Sequence, residues 1–270
     1  MRRLFKSTKR RTSLAMLGLA LVVAVTVSVT VAVRSSSASI DEAAIAAVIS
    51  GFQKAQCDSY AIPADAVATV EDRQAKLRND PDWRPSATDK NPGSAILPDK
   101  AKATMAEKYD AALEKYCTAQ YRGPMGSGSV NAADANAGLY NNPQAAPIIE
   151  ERTEVLAVQV KRVEGSTCIA WAYSWYGDVS AKGKGVQDWQ VDEYILVKEG
   201  DRWLIDGCTS LGVMDAEDYH GNKYSDEWGP HAPHQPIDEM ELEQQSQLYS
   251  SQWDLRNALR SLEAEALANK

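Results

Sequence analysis

Histidine is nearly missing from this chain. The sequence has three, His220, His231 and His234, all in one short segment. The commonest acid–base side chain is therefore absent from everything before residue 220. The usual signatures of chemistry are absent as well. There is no Gly-x-Ser-x-Gly, no His-Glu-x-x-His, no phosphate-binding Gly-x-x-x-x-Gly-Lys and no calcium-loop pattern. No two cysteines have C-x-x-C spacing, which removes a thioredoxin-like redox site and a zinc knuckle. Basic charge is also in deficit, with 29 Lys and Arg against 37 Asp and Glu. Nucleic acid is excluded as a partner, because phosphate binding needs clustered positive charge. No internal repeat stands out, and no cofactor is expected.

Long apolar runs are lacking too, except one. Ser13–Val33 carries no charge and, as a helix, spans roughly 31 Å, enough to cross a hydrocarbon core. Before it stand Arg2, Arg3, Lys6, Lys9, Arg10 and Arg11 with no acid, and after it only Arg34 precedes the serine-rich stretch Ser35–Ser39. This charge bias keeps the N-terminus in the cytoplasm and places the bulk of the chain outside. A cleaved signal peptide is the rival, since Ser36 and Ala38 could fit a cleavage site, but the apolar run is longer than such segments usually are. Removing the six basic residues of the tail from a formal charge of −8 leaves −14, so the exported part is acidic.

Cys57, Cys117, Cys168 and Cys208 all fall on the exported side. An even number in an oxidising compartment predicts two disulfides, with three connectivities open. Cys57–Cys117 between helices and Cys168–Cys208 within a sheet is the preferred pairing. The second is strained if those strands are not neighbours.

The pattern along the exported part is helices, then strands, then a helix, an α+β class. Ser39-x-x-Glu42 is a capping box, and Ile45, Val48, Ile49 and Phe52 recur at helical spacing, predicting a helix over Ile40–Gln56. Further helices are expected over Ala64–Asn79, after Pro63, and over Asp99–Gln120. Pro81–Gly93 and Gly123–Pro147 read as loops. Period two then takes over, across Thr153–Val163, Thr167–Tyr176, Gln187–Lys198 and Arg202–Cys208. These strands form an antiparallel meander with one aromatic and one more polar face. Asp215–Pro236 is loop, and Ile237–Asn269 reads as one long helix. Leu248, Leu255, Leu259, Leu262 and Ala266 approximate a heptad seam on it. That seam either docks on its own domain or joins two copies of the chain.

The run from Asp192 through Val197, Glu199-Gly200-Asp201 and Trp203-Leu204-Ile205-Asp206 resembles the last hairpin of nuclear transport factor 2-like domains. There an aliphatic strand, a tight turn and a Trp-x-Ile close a cone. With the N-terminal anchor, the layout is similar to mammalian-cell-entry-associated membrane proteins. It is also similar to extracytoplasmic subunits of conjugation and type IV secretion machines. The resemblance covers Ile40–Gly212, and the Gly123–Pro147 insertion and the C-terminal helix depart from it. It implies helices packed on a bent antiparallel sheet. The expected organisation is a cytoplasmic basic tail (1–12), a transmembrane helix (13–33), the extracytoplasmic cone domain (34–212), a loop (213–236) and a C-terminal helix (237–270).

Some members of that family are enzymes with a polar group inside the cone, such as ketosteroid isomerases; many membrane-anchored members are non-catalytic and assemble with partners. An isomerase-like or ligand-binding pocket would need a base and hydrogen-bond donors in an apolar cavity. Glu193 is the candidate base, because it shares a strand face with Trp189, Val191, Ile195 and Val197, and Tyr173 is the candidate donor. Trp171 and Trp189 would line the pocket. The plainer reading is that Glu193 lies near a strand end or bulge and reaches water. Trp171, Trp175, Trp189 and Trp203 fit sheet core, whereas Trp83, Trp228 and Trp253 could mark a partner surface. His220, His231 and His234, with Asp215, Asp218, Asp226 and Glu227 near them, are weak candidates for a transition-metal site. The solvated Pro-rich loop is the plainer alternative. The leading expectation is a non-enzymatic, single-pass accessory protein of the cell envelope. It would bind envelope or transport-machine proteins and possess a possible homodimer contact through the C-terminal helix.

Overall fold

The computed structural model describes residues 42–79, 97–126, 146–217, 223–243 and 246–269. The expected anchor, 13–33, and the expected loop Pro81–Gly93 lie outside these residues. So does most of the Gly123–Pro147 loop, together with Trp83, His220 and Asp218. Among the described residues no helix is long and apolar enough to cross a membrane.

Helix α1 spans Glu42–Tyr60 and buries Ile45, Ile49, Phe52 and Cys57 on one side. A short 3-10 turn, Ala64–Ala66, leads into α2, Val67–Asn79. Helix α3 spans Asp99–Tyr116, shorter than the sequence pattern implies. It stops because Cys117 is extended and bridges to Ile205 of the sheet. Thr118 then bonds Ile205 O through its amide (2.9 Å) and Asp206 Oδ1 through its hydroxyl. The same hydroxyl accepts the Tyr121 amide (3.1 Å) and so opens the short α4, Ala119–Gly126.

Four long strands follow as an antiparallel meander: β1 Ile148–Glu164, β2 Thr167–Ser180, β3 Gly183–Glu199 and β4 Arg202–Asp215. A two-residue strand, β5 Glu241–Leu242, adds to β4, giving the order β1-β2-β3-β4-β5. The tight turn between β3 and β4 is where sequence places it, with Gly200 at φ +61°. Edge strand β1 has register shifts near Glu150, Ala157 and Arg162 and displays Glu150, Arg152, Glu154 and Arg162, which discourages strand-to-strand aggregation.

The expected single C-terminal helix over Ile237–Asn269 is corrected. Among the described residues of that span only Gln252–Ala268 (α5) is α-helical. The stretch before it forms a 3-10 turn (Ile237–Glu239), β5 and a loop, because Ile237, Met240 and Leu242 are drawn one by one into the core. Helix α5 begins where Ser251 Oγ accepts the Asp254 amide, 3.1 Å away. Arg260 reaches back to Asp238 at 2.5 Å. Leu255, Leu259, Leu262 and Ala266 are buried against the chain's own sheet. The seam therefore docks at home, and its apolar residues are not free to join a second copy.

Each sheet face has its own core. On one, Cys168, Ala170, Ala172, Tyr194, Leu196 and Ile205 meet Ile45, Ile49 and Phe52 of α1 and Tyr109 and Leu113 of α3. We call this the α1 face. On the other, Trp171, Tyr173, Trp175, Trp189 and Val191 meet α5 and residues 232–242. We call this the aromatic face. Trp203 is buried as expected, but on the α1 face.

Candidate functional site

The structure brings Glu193, Trp171, Tyr173 and Trp189 together on the aromatic face, as their alternation in β2 and β3 requires. It does not open that face. Glu193 is 3% exposed, so it neither reaches water nor stands in an apolar hole. It accepts Trp171 Nε1 (2.9 Å), the Ser246 hydroxyl and the Gln247 amide (3.5 Å). Tyr173 OH bonds His234 Nε2, and His234 Nδ1 meets Ala232 O at 2.9 Å. The His234 ring stacks on Trp189 with centroids 4.0 Å apart. Trp189 Nε1 donates to Pro230 O (3.0 Å), and Gln187 ties Trp175 to Glu227 and Gly229. Trp228, proposed for a partner surface, packs edge-on against Trp175 instead. Trp253 is 65% exposed and stays available. These bonds make Glu193 a clasp for the segment that covers the face, rather than a base beside a pocket.

The metal reading finds no footing among the described residues, where no three His, Cys, Asp or Glu side chains converge. His231 is exposed and His234 is committed to Tyr173, Ala232 and Trp189.

All four cysteines are free thiols. Neither preferred pair is joined in this structure. Helices α1 and α3 run antiparallel, with Tyr60 beside Tyr109 and Phe52 beside Tyr116. Cys57 therefore lies opposite the middle of α3, offset roughly 7 Å along the axis from Cys117, on helices about 8–10 Å apart. Cys168 pairs with Leu196 and Cys208 with Tyr194, so all of β3 separates them, about 10 Å across. Both separations exceed the Cα spacing of about 7 Å that a disulfide tolerates. Burial pushes the thiols up, Cys168 to about 11 and Cys117 to about 12, leaving them unreactive at neutral pH.

The polar site that sequence reading missed lies on the α1 face. Asp192 is 2% exposed. Strand register sets it directly opposite Ser210 on β4, while Ser174 on β2 lies opposite Gln190 on the same face. Gln190 Nε2 donates to Asp192 Oδ1 at 2.6 Å. Burial pushes the Asp192 carboxyl up to about 7; Asp188 and Glu243 add to the rise and the Gln190 bond opposes it. The hydroxyls of Ser174 and Ser210 are sealed from solvent and have no hydrogen-bond partner among the described residues. A buried polar group left so costs roughly 1–3 kcal/mol. Tyr194 on this face accepts from Gln53 Nε2 of α1 (3.0 Å), and Gln53 Oε1 meets the Thr153 hydroxyl (3.5 Å). The available signal was the alternation itself: Ser174, Gln190, Asp192 and Ser210 interrupt the apolar positions opposite the tryptophans.

An open groove of about 450 Å³ lies where α1, α3 and the start of β1 meet. Ala55, Ala111 and Ile149 form its apolar part; Lys115 stands on α3, with Asp58 and Glu151 on the α1 and β1 sides.

No protein-family model, curated protein or solved structure matches this chain.

Proposed function

We propose that this chain is a non-enzymatic, single-pass accessory protein of a cell envelope, with a nuclear transport factor 2-like domain outside the cytoplasm that binds envelope or transport-machine proteins. The uncharged run Ser13–Val33 behind a purely basic tail carries the reading. The domain supports the interaction half of it. Both sheet faces are covered by the chain's own helices, which leaves the rim as the place for a partner. The groove between α1, α3 and β1 has a small-residue floor and mixed charge around it, which suits a specific, partly polar contact. The rival reading, a pocket built on Glu193, loses support because that carboxylate holds the chain's own Ser246 and Gln247.

Two measurements test it. Alkaline extraction should leave the protein in membranes, and protease added outside intact cells should digest the domain. A pull-down from detergent-solubilised membranes should recover partners that Ala111→Arg, which fills the groove, releases. Recovery of the protein alone, or its presence only in the medium, overturns the reading.

A further inference from the structure

We propose that Asp192, Ser174 and Ser210 together hold a small monovalent cation of ammonium size between the sheet and α1. All three project from one sheet face: Asp192 and Ser210 are direct cross-strand partners, and Ser174 lies one strand over, diagonal to Asp192. Diagonal neighbours in an antiparallel pair are about 7–8 Å apart at Cα, a spacing that leaves room for one shared atom between their side chains. Both hydroxyls are sealed and, among the described residues, unpartnered, and Ser174 is 0% exposed. The Gln190 amide reaches Asp192 Oδ1, and the structure places no other side-chain donor on this carboxyl among the described residues.

The surroundings choose the sign of the guest. Asp188 and Glu243 both act on Asp192 to raise it, and among the described residues no basic side chain is among the main influences on it. The other titratable groups near it are Tyr176 on β2, Tyr194 on β3 and Cys208 on β4, with Cys57 of α1 beside Tyr176. Burial pushes every one of these phenols and thiols well up, so above neutrality, at about pH 8, they stay uncharged while Asp192 is ionised. One carboxylate and two hydroxyl oxygens offer three acceptors. That set suits an ammonium ion, which brings only donors, or oxygen coordination of potassium. A divalent metal fits poorly, because no three acidic, His or Cys side chains converge among the described residues. The sealed hydroxyls also rule out a guest with a long tail.

The test is thermal unfolding of the full chain in detergent at about pH 8. It compares ammonium, potassium and tetramethylammonium chlorides at equal ionic strength, roughly 0.1 M, so that screening is matched. Ammonium should raise the midpoint by about 3 °C over tetramethylammonium. The gain should vanish in Asp192→Asn, shrink in Ser174→Ala, and disappear for the parent near pH 5, where Asp192 is protonated. Potassium matching ammonium identifies a site set by size, and ammonium alone identifies one set by hydrogen bonding; both support the proposal. Equal midpoints in all three salts, or a gain that survives Asp192→Asn, overturn it.

Discussion

The two faces of the sheet treat their buried carboxylates in opposite ways, although each face also holds one sealed indole nitrogen without a partner among the described residues, Trp228 on the aromatic face and Trp203 on the other. On the aromatic face, Glu193 is surrounded by donors, and the indoles of Trp171, Trp175 and Trp189 each find an acceptor. On the α1 face, Asp192 has Gln190 and acidic company, and two serine hydroxyls nearby have no partner among the described residues. The strands are the same; only the layer above them differs. A carboxylate with its donors in place fixes one packing arrangement, whereas a half-satisfied one costs stability.

The comparison breaks most forcefully at the cover of the aromatic face. Leu259 is fully buried in that core. Leu259→Ala should cost about 4 kcal/mol in urea unfolding, because the rigid tryptophan layer beneath α5 cannot collapse into the void. A loss under about 1 kcal/mol would mean that α5 is only loosely docked.

Carboxyl-to-amide changes sharpen the contrast, since the two faces should respond with opposite sign. The Asp192 carboxyl titrates near 7 in the folded protein against 3.8 as a model value. Between those limits the folded chain holds a proton that the unfolded chain has lost, so stability falls as pH rises through the window and levels off above it. Asp192→Asn removes that penalty. In tetramethylammonium chloride, without a small cation, it should stabilise the protein by about 3 kcal/mol at pH 8 and by about 1 kcal/mol at pH 5. A loss of stability at pH 8 would show a charged Asp192 with a partner. Glu193→Gln keeps the shape and weakens the charge-assisted bonds to Trp171, Ser246 and Gln247. It should cost about 1.5 kcal/mol by chemical denaturation, and a gain would show that the clasp is strained.

Much of this architecture was legible in the sequence. Apolar period gave α1 and the four strands, and Glu199-Gly200-Asp201 gave the turn, since each signal is local. Which layer covers which face is not local. The sheet tryptophans are core, as the plainer reading had them, but the pocket reading that set Glu193, Trp171 and Trp189 inside the cone did not foresee that α1 covers the opposite face. Ala170 and Ala172 are small enough there for a helix to approach, and Gln53 finds Tyr194. Helical spacing over Ile237–Asn269 misled for a related reason. The helical seam begins only at Leu248, and before it the pairing of Glu241 and Leu242 with Val213 and Gly212 extends the sheet. Ser251, with Asp254 three residues on, was the start signal that should have moved the boundary. Asp192 was passed over because one acid in a strand looks solvent-facing until a helix is known to cover it.

The smallest contrast uses one substitution on both faces. Ser246 and Ser174 are both buried serines. The Ser246 hydroxyl donates to Glu193 and accepts the Leu248 amide at 3.2 Å. Ser246→Ala strips a donor from a buried carboxylate and should cost about 1 kcal/mol. Ser174→Ala removes an oxygen that has no partner among the described residues of the folded chain but is hydrated in the unfolded one. In tetramethylammonium chloride, without a small cation, it should be neutral or stabilising by up to about 1 kcal/mol. The two variants differ from their parent by the same atom, so intrinsic propensity cannot explain a difference of sign between them in matched melts. Equal losses at both positions would mean that Ser174 has a partner in solution after all, and the contrast between the faces would fall.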